Sequence, residues 1–244
     1  YTVDDTYVGR SGSGPTVNYS GAEAVVVRCG VGDDTVNVED TPAAGPVTVY
    51  GGDGDDTTHV NPTGGQFAIG ALLTVDGGDG SDSLVVHDES TPLPVAWALT
   101  GSRIEDNYGN ALEYSSQAEV TVRAGTGNDY VDIDGVAFGS ETVFHGGPGN
   151  DVIDICETSG VWSLGGRLTV NGDSDTDALT IHDSSAGVGV TYTVDAAQVA
   201  DAFGNEVFYS GLESLALRAG AHGDTVNIHD VAWGTGATVY GGGG

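Results

Sequence analysis

Gly51-Gly-Asp-Gly-Asp-Asp56 is a turn that this chain writes seven times. The other copies are Cys29-Gly-Val-Gly-Asp-Asp34, Gly77-Gly-Asp-Gly-Ser-Asp82, Ala124-Gly-Thr-Gly-Asn-Asp129, Gly146-Gly-Pro-Gly-Asn-Asp151, Gly172-Asp-Ser-Asp-Thr-Asp177 and Ala219-Gly-Ala-His-Gly-Asp224. The closing aspartates step by 22, 26 and 47 residues, and then by 22, 26 and 47 again, a superrepeat of 95 residues. Such a period marks units that bury their apolar faces only by stacking on one another.

Short β-type segments flank every turn. Val25-Val26-Val27, Val47-Thr48-Val49, Val120-Thr121-Val122 and Leu168-Thr169-Val170 precede turns. After them the pattern alternates: Val36 and Val38, Leu84 and Val86, Val131 and Ile133, Ile153 and Ile155, Leu179 and Ile181, Val226 and Ile228. Period two with β-branched residues describes half-buried strands. Near-identical turns returning at 22 to 26 residues fit a chain that comes back to the same place one layer up. The expected fold is therefore all-β, a parallel β-solenoid of about ten coils and a length on the order of 50 Å.

In this reading the 47-residue step holds two coils, one without the motif. All seven turns then stack on a single ridge. The motif-free segments are Tyr1 to Tyr19, Trp97 to Tyr114 and Tyr192 to Tyr209, each carrying a glycine (Gly14, Gly109, Gly204). Gly109-Asn110 and Gly204-Asn205 close either a hairpin or a wider corner. Superrepeats run over about 1–96, 97–191 and 192–244. Tyr240-Gly-Gly-Gly-Gly244 repeats the start of the turn at Tyr50-Gly51-Gly52, so the chain is expected to be a segment of a longer array. Tyr1 reads as the start of a strand, so an export signal is expected to have been removed or to lie upstream.

Thirty-six acids face six arginines and no lysine, for a net charge of −30. That excess argues against nucleic acid or an anionic membrane as partner and favours cations. No apolar stretch approaches the length of a membrane span. Thirteen of the 36 acids fall in the 42 turn residues, so the excess charge sits where cation ligands would be. Cys29 and Cys156 are expected to lie several coils apart, beyond disulfide reach, as plain thiols.

The turns supply hard oxygen. Glycines bring carbonyls close, and the closing aspartate adds a carboxylate. Calcium takes six to eight such ligands, more than one turn offers but within the reach of two stacked turns. Gly-Asp turns also form without metal, because aspartate can bond nearby backbone.

Written as Gly-Gly-x-Gly-x-Asp-x-U-x with U apolar, the seven turns resemble the calcium-binding nonapeptide of RTX (repeats-in-toxin, haemolysin-type) proteins. The resemblance implies a parallel β-roll in which Ca²⁺ sits between stacked turns. By position it implies side-chain ligands at Asp34, Asp56, Asp82, Asp129, Asp151, Asp177 and Asp224. It places carbonyl donors at Gly30, Gly32, Gly52, Gly54, Gly78, Gly80, Gly125, Gly127, Gly147 and Gly149. Asp53, Asp55, Asp79, Asp173 and Asp175 are extra carboxylates that either help or face water. The chain departs from that family in having one motif per 22 to 26 residues, so one edge is expected to carry ions. Asp173 and Asp175 replace glycines, His222 replaces another, and Thr58 stands where an apolar residue is usual.

Other groups read as structural. His87-Asp88, His182-Asp183 and His229-Asp230 are expected to be solvated strand ends, too far apart for one site. Arg28, Arg123 and Arg218 recur at 95 residues and are expected to pair with turn carboxylates. Trp97, Trp162 and Trp233 are expected in the core or at coil corners, with sugar stacking as the alternative. Asn18-Tyr19-Ser20 is a lone glycosylation sequon. A polysaccharide lyase or epimerase would need long cleft-building loops and basic residues, and an ice-binding face would need a threonine ladder. Neither pattern is present. The expected role is non-catalytic: a calcium-binding structural or adhesive segment of a secreted or cell-surface protein. Self-assembly or surface glycans are its further partners; a glycan- or partner-binding module is the alternative, and a polysaccharide lyase- or epimerase-type β-helix enzyme the more distant one.

Overall fold

The computed structural model describes residues 1–10, 16–43 and 45–243. Gly14, read above as a counterpart of Gly109, lies outside them. Among the described residues are 24 strands and no helix, arranged in two sheets of 13 and 11 strands, here sheet I and sheet II. Most neighbours are parallel, the antiparallel pairs being confined to three meanders. Val25–Val31, Val47–Asp53 and Leu73–Asp79 stack in sheet II, while Thr35–Val38, Thr57–Val60 and Ser83–His87 stack in sheet I. The chain crosses from one sheet to the other twice per coil, which makes it a parallel β-solenoid.

Alternation fixes the register. Val47 and Val49 are fully buried, while Thr48 and Tyr50, which alternate with them, stay partly exposed. Val47 lies between Val25 and Leu73 of the neighbouring coils, so like residues pile into continuous apolar columns. Each such side chain adds about 1.5–3 kcal/mol on burial, and one-residue slippage would turn a whole column to water.

The motif-free segments are three-stranded antiparallel meanders. Ala96–Thr100, Arg103–Asp106 and Ala111–Ser115 form one in sheet II; Thr191–Asp195, Gln198–Asp201 and Glu206–Ser210 form another in sheet I. Gly109-Asn110 and Gly204-Asn205 therefore close hairpins rather than corners. The Tyr114 hydroxyl donates to the Thr100 carbonyl at 2.5 Å, and Tyr209 does the same to Asp195 at 2.6 Å. Tyr19 reaches Asp4 in the first meander, Thr2–Val3, Tyr7–Gly9 and Thr16–Asn18 of sheet I.

With each meander counted as one pass, the described residues make nine passes through each sheet, in keeping with the expected count of about ten coils. The two-coil step and the single ridge are corrected here. The 47-residue step is one and a half coils, because the meander absorbs the additional residues within one pass. After Asp82 the chain runs through Ser83–His87 in sheet I, the meander in sheet II and Glu119–Arg123 in sheet I before the next motif. The first three motifs lead from sheet II to sheet I, the next three from sheet I to sheet II, and the last again from II to I. The turns therefore occupy two opposite edges, not a single ridge. The superrepeat is an odd number of half coils, so a 95-residue offset carries Val27 of sheet II to Val122 of sheet I and on to Leu217 of sheet II.

Candidate metal centre

Asp34, Asp56 and Asp82 do share one edge, and Asp129, Asp151 and Asp177 share the other. Within each trio the carboxylates form a ladder. Asp56 Oδ1 accepts the amide of Asp34 at 2.7 Å, and Asp82 Oδ1 accepts that of Asp56 at 2.8 Å. On the opposite edge Asp151 Oδ1 accepts from Asp129 at 2.7 Å and Asp177 Oδ1 from Asp151 at 2.8 Å. Asp129, the first of its trio, and Asp224, the last motif aspartate, accept the amides of Val95 at 2.8 Å and Val190 at 2.9 Å. A second ladder runs the other way one residue earlier. Asp33 accepts from Asp55 N at 3.0 Å, Asp55 from Ser81 N at 2.8 Å, Asn128 from Asn150 N and Asn150 from Thr176 N, each at 2.9 Å. Aspartate at the sixth place is thus a coil-to-coil clamp in its own right.

Five of the seven closing aspartates have one oxygen left over, whereas Asp129 Oδ2 accepts the Gly125 amide at 3.2 Å. Oδ2 of Asp56, Asp82, Asp151, Asp177 and Asp224 is buried with no hydrogen-bond partner. The first glycine of each turn shows where these oxygens lie. A Cβ on Gly51 would sit 2.3 Å from both Asp56 Oδ2 and the Gly77 carbonyl oxygen of the next coil. On Gly77 it would meet the Ser116 carbonyl at 2.2 Å and Asp82 Oδ2 at 2.5 Å. On Gly146 it would meet Asp151 Oδ2 at 2.4 Å and the Gly172 carbonyl at 3.0 Å; on Gly172, the Gly211 carbonyl at 2.1 Å and Asp177 Oδ2 at 2.7 Å. At four turns a carboxylate oxygen and a carbonyl oxygen converge with no donor between them. Burial pushes the Asp151 carboxyl up to about 7 and Asp177 up to about 6, and raises Asp56, Asp82 and Asp129 above the ordinary aspartate value. A cation, a proton or a buried water donating to both oxygens relieves such a pair. The donor set fits a hard cation.

The glycines expected to lend carbonyl donors stack coil on coil. Gly30, Gly52 and Gly78 lie in parallel register, and a Cβ on Gly52 would fall 2.0 Å from the Gly30 oxygen. The same close approach sets Gly54 on Gly32, Gly78 on Gly52, Gly80 on Gly54, Gly147 on Gly125 and Gly149 on Gly127. These carbonyls face the next coil along the stack, so glycine is needed there for packing. The side chains of Asp53, Asp55, Asp79, Asp173 and Asp175 are exposed. Asp173 and Asp175 take φ of 70° and 82°, keeping the backbone of the glycines they replace. His222 Nδ1 lies 3.1 Å from the Ala186 carbonyl.

The remaining candidates are partly corrected. Asp88 and Asp183 are not solvated but 2% and 3% exposed, holding the amides of Phe67 at 2.7 Å and Trp162 at 2.9 Å. Arg28 and Arg218 lie over the rings of Tyr50 and Tyr240, and Arg123 reaches Glu89 rather than a turn carboxylate. Trp97 and Trp162 are core residues and offer no face to a sugar, whereas Trp233 is fully exposed. Cys29 and Cys156 are free thiols. One group the sequence did not suggest is Asp154, Glu157 and His182, whose ligand atoms lie within 4.8 Å of one another. Its polar atoms already have protein partners: His182 Nε2 lies 2.9 Å from Asp154 Oδ1, and the Tyr130 hydroxyl donates to Glu157. The signal for it was the offset of 28 between Asp154 and His182, close to one coil. Compared with known families and with curated proteins, the chain matches no family model and no curated protein.

Proposed function

We propose that the chain is a calcium-stabilised, non-catalytic segment of a secreted or cell-surface repeat protein, serving as a stalk, matrix or adhesive element. The observation that supports this most directly is the fourfold recurrence of a buried, partnerless Asp Oδ2 facing a carbonyl of the next coil. The RTX-like turns supply the identity of the cation, and the charge of −30 supplies the attraction. Asp56, Asp82, Asp151 and Asp177 would hold Ca²⁺ with the carbonyls of Gly77, Ser116, Gly172 and Gly211. Water would complete the shell.

Each pair joins oxygens of successive coils, so the cation binds the stacked chain and not the unfolded one. Binding is then folding energy. A site at 100-fold excess over its Kd adds about 2.7 kcal/mol. Low cytoplasmic calcium would leave the rod loose, and extracellular calcium would rigidify it after export. The test is metal analysis of dialysed protein together with melting in calcium and in chelator. Bound calcium and a higher melting temperature are expected. Metal-free protein with superimposable melting curves would refute the reading.

A further inference from the structure

Asp154 lies in the strand Val152–Ile155 and Glu157 just past its end, while His182 closes the neighbouring strand Ala178–His182 of sheet II. One ligand atom from each lies within 4.8 Å of the other two. Asp154 is 9% exposed, and its Oδ1 lies 2.9 Å from His182 Nε2. No hydrogen bond among the described residues reaches its Oδ2. Glu157 is exposed, and the Tyr130 hydroxyl takes one of its two oxygens. The side chains of His182 and Asp154 keep 14% and 13% of their surface open, so an ion from solvent can reach them.

The surroundings are negative. Asp132, in register with Asp154 on the preceding pass, accepts the Thr158 hydroxyl at 2.9 Å. Burial, and after it the charges of Asp134 and Glu157, raises the Asp132 carboxyl above the ordinary aspartate value. Arg218, in register with His182 on the following pass, lies over the Tyr240 ring one pass further on. Among the described residues no arginine pairs with Asp132, Asp154 or Glu157. One superrepeat earlier the same places hold Asn37, His59, Pro62 and His87. There His59 Nδ1 lies 3.2 Å from His87 Nε2, so the two passes are bridged without an acid. The coil contact itself therefore does not require the three carboxylates of the later copy.

We propose that Asp154, Glu157 and His182 bind a zinc ion that ties two passes of sheet II together. His182 Nε2 and one oxygen each from Asp154 and Glu157 are the ligands, and water takes the fourth place. Zinc bonds of about 2.0–2.2 Å set tetrahedral ligand atoms about 3.3 Å apart, close to the 2.9 Å already present between His182 and Asp154. An imidazole among the ligands favours zinc over calcium, which takes six to eight oxygens. The two carboxylates match the charge of the ion, and the proton between His182 and Asp154 leaves to solvent on binding. None of these ligands is a motif aspartate, so the site is independent of the calcium reading.

The test is titration of the whole chain with zinc, and with cobalt(II) as a coloured probe, at pH 7.5 in millimolar calcium. Calcium is in excess throughout, so occupation of the motif turns does not enter the result. Zinc binding with a micromolar or lower Kd is expected, and cobalt should give the intense visible absorption of a four-coordinate ion. His182→Ala and Glu157→Gln should each weaken zinc binding tenfold or more and remove the cobalt band. Glu157 is exposed, so the second variant should keep the fold, which circular dichroism checks. His229→Ala, outside the group, should leave both signals unchanged. No saturable zinc binding at micromolar concentration would overturn the proposal. So would a titration unchanged in both folded variants, or one lost in His229→Ala.

Discussion

In Asp56, Asp82, Asp151, Asp177 and Asp224 the two carboxylate oxygens differ. Oδ1 clamps the amide of the neighbouring coil, and Oδ2 is buried without a hydrogen-bond partner. Asp82→Asn separates them, because asparagine keeps the acceptor for Asp56 N and turns an N–H toward the Ser116 carbonyl. In chelator at pH 8 this variant should be more stable than the parent by about 1–3 kcal/mol, the cost of a buried unpaired polar group. It should also lose one calcium-dependent increment. Denaturant titrations with and without calcium read both, and a variant that loses stability in chelator would refute the assignment of Oδ2. Glycine is tested by position. Gly52 and Gly32 both have positive φ, 113° and 91°, but an added Cβ meets the Gly30 oxygen at 2.0 Å in the first and nothing within 4 Å in the second. Both alanine variants carry a conformational penalty of about 1–2 kcal/mol. Gly52→Ala should cost clearly more, and equal losses would show that coil-to-coil contact is not what requires glycine.

The strands and motif turns were legible from the sequence because period two and the Gly-x-Gly-x-Asp spacing each follow from one local rule. The meanders were not. Forty-seven residues accommodate two plain coils or one and a half coils with a hairpin folded into one pass, and spacing alone does not separate them. The half coil decides which edge the next motif faces, so the division into two ridges was hidden with it. Asp88, Asp183, Asn110 and Asn205 recur at 95 residues, and that recurrence was a signal for the brackets fixing each meander to the preceding coil. Asn205 is a direct probe of that bracket. Its Oδ1 accepts from Leu164 at 2.9 Å, and its Nδ2 donates to Trp162 at 3.0 Å and to Asp201 at 2.7 Å. Asn205→Ala should cost about 1–3 kcal/mol by stranding these groups. Hydrogen exchange should quicken in Gln198–Ser210 before it does in the motif turns. Uniform quickening along the chain would show that the bracket does not act locally.

Alternating edges give the rod a mechanical logic: clamps confined to one ridge would stiffen one side of a two-sheet stack and leave the other to splay. Trios on opposite edges, with meanders placed in sheet I, sheet II and sheet I again, distribute both the Oδ2–carbonyl pairs and the extra strands. The cost is a buried row of carboxylates whose charge opposes folding until something neutralises it. Asp151, raised to about 7, and Asp177, raised to about 6, bind protons more tightly folded than unfolded. Stability from these groups is therefore full below about pH 4, the ordinary aspartate range. It falls as pH rises through 6 and 7, because the unfolded chain then holds fewer protons than the folded one. Calcium competes for the same oxygens, so its stabilisation should be small at pH 5 and reach a few kcal/mol at pH 8. Melting at both pH values, in calcium and in chelator, measures the four corners of this cycle. Asp151→Asn should flatten the chelator series and shrink the calcium gain at pH 8. Equal calcium gains at pH 5 and pH 8 would show that cation and proton do not share the Oδ2–carbonyl pairs.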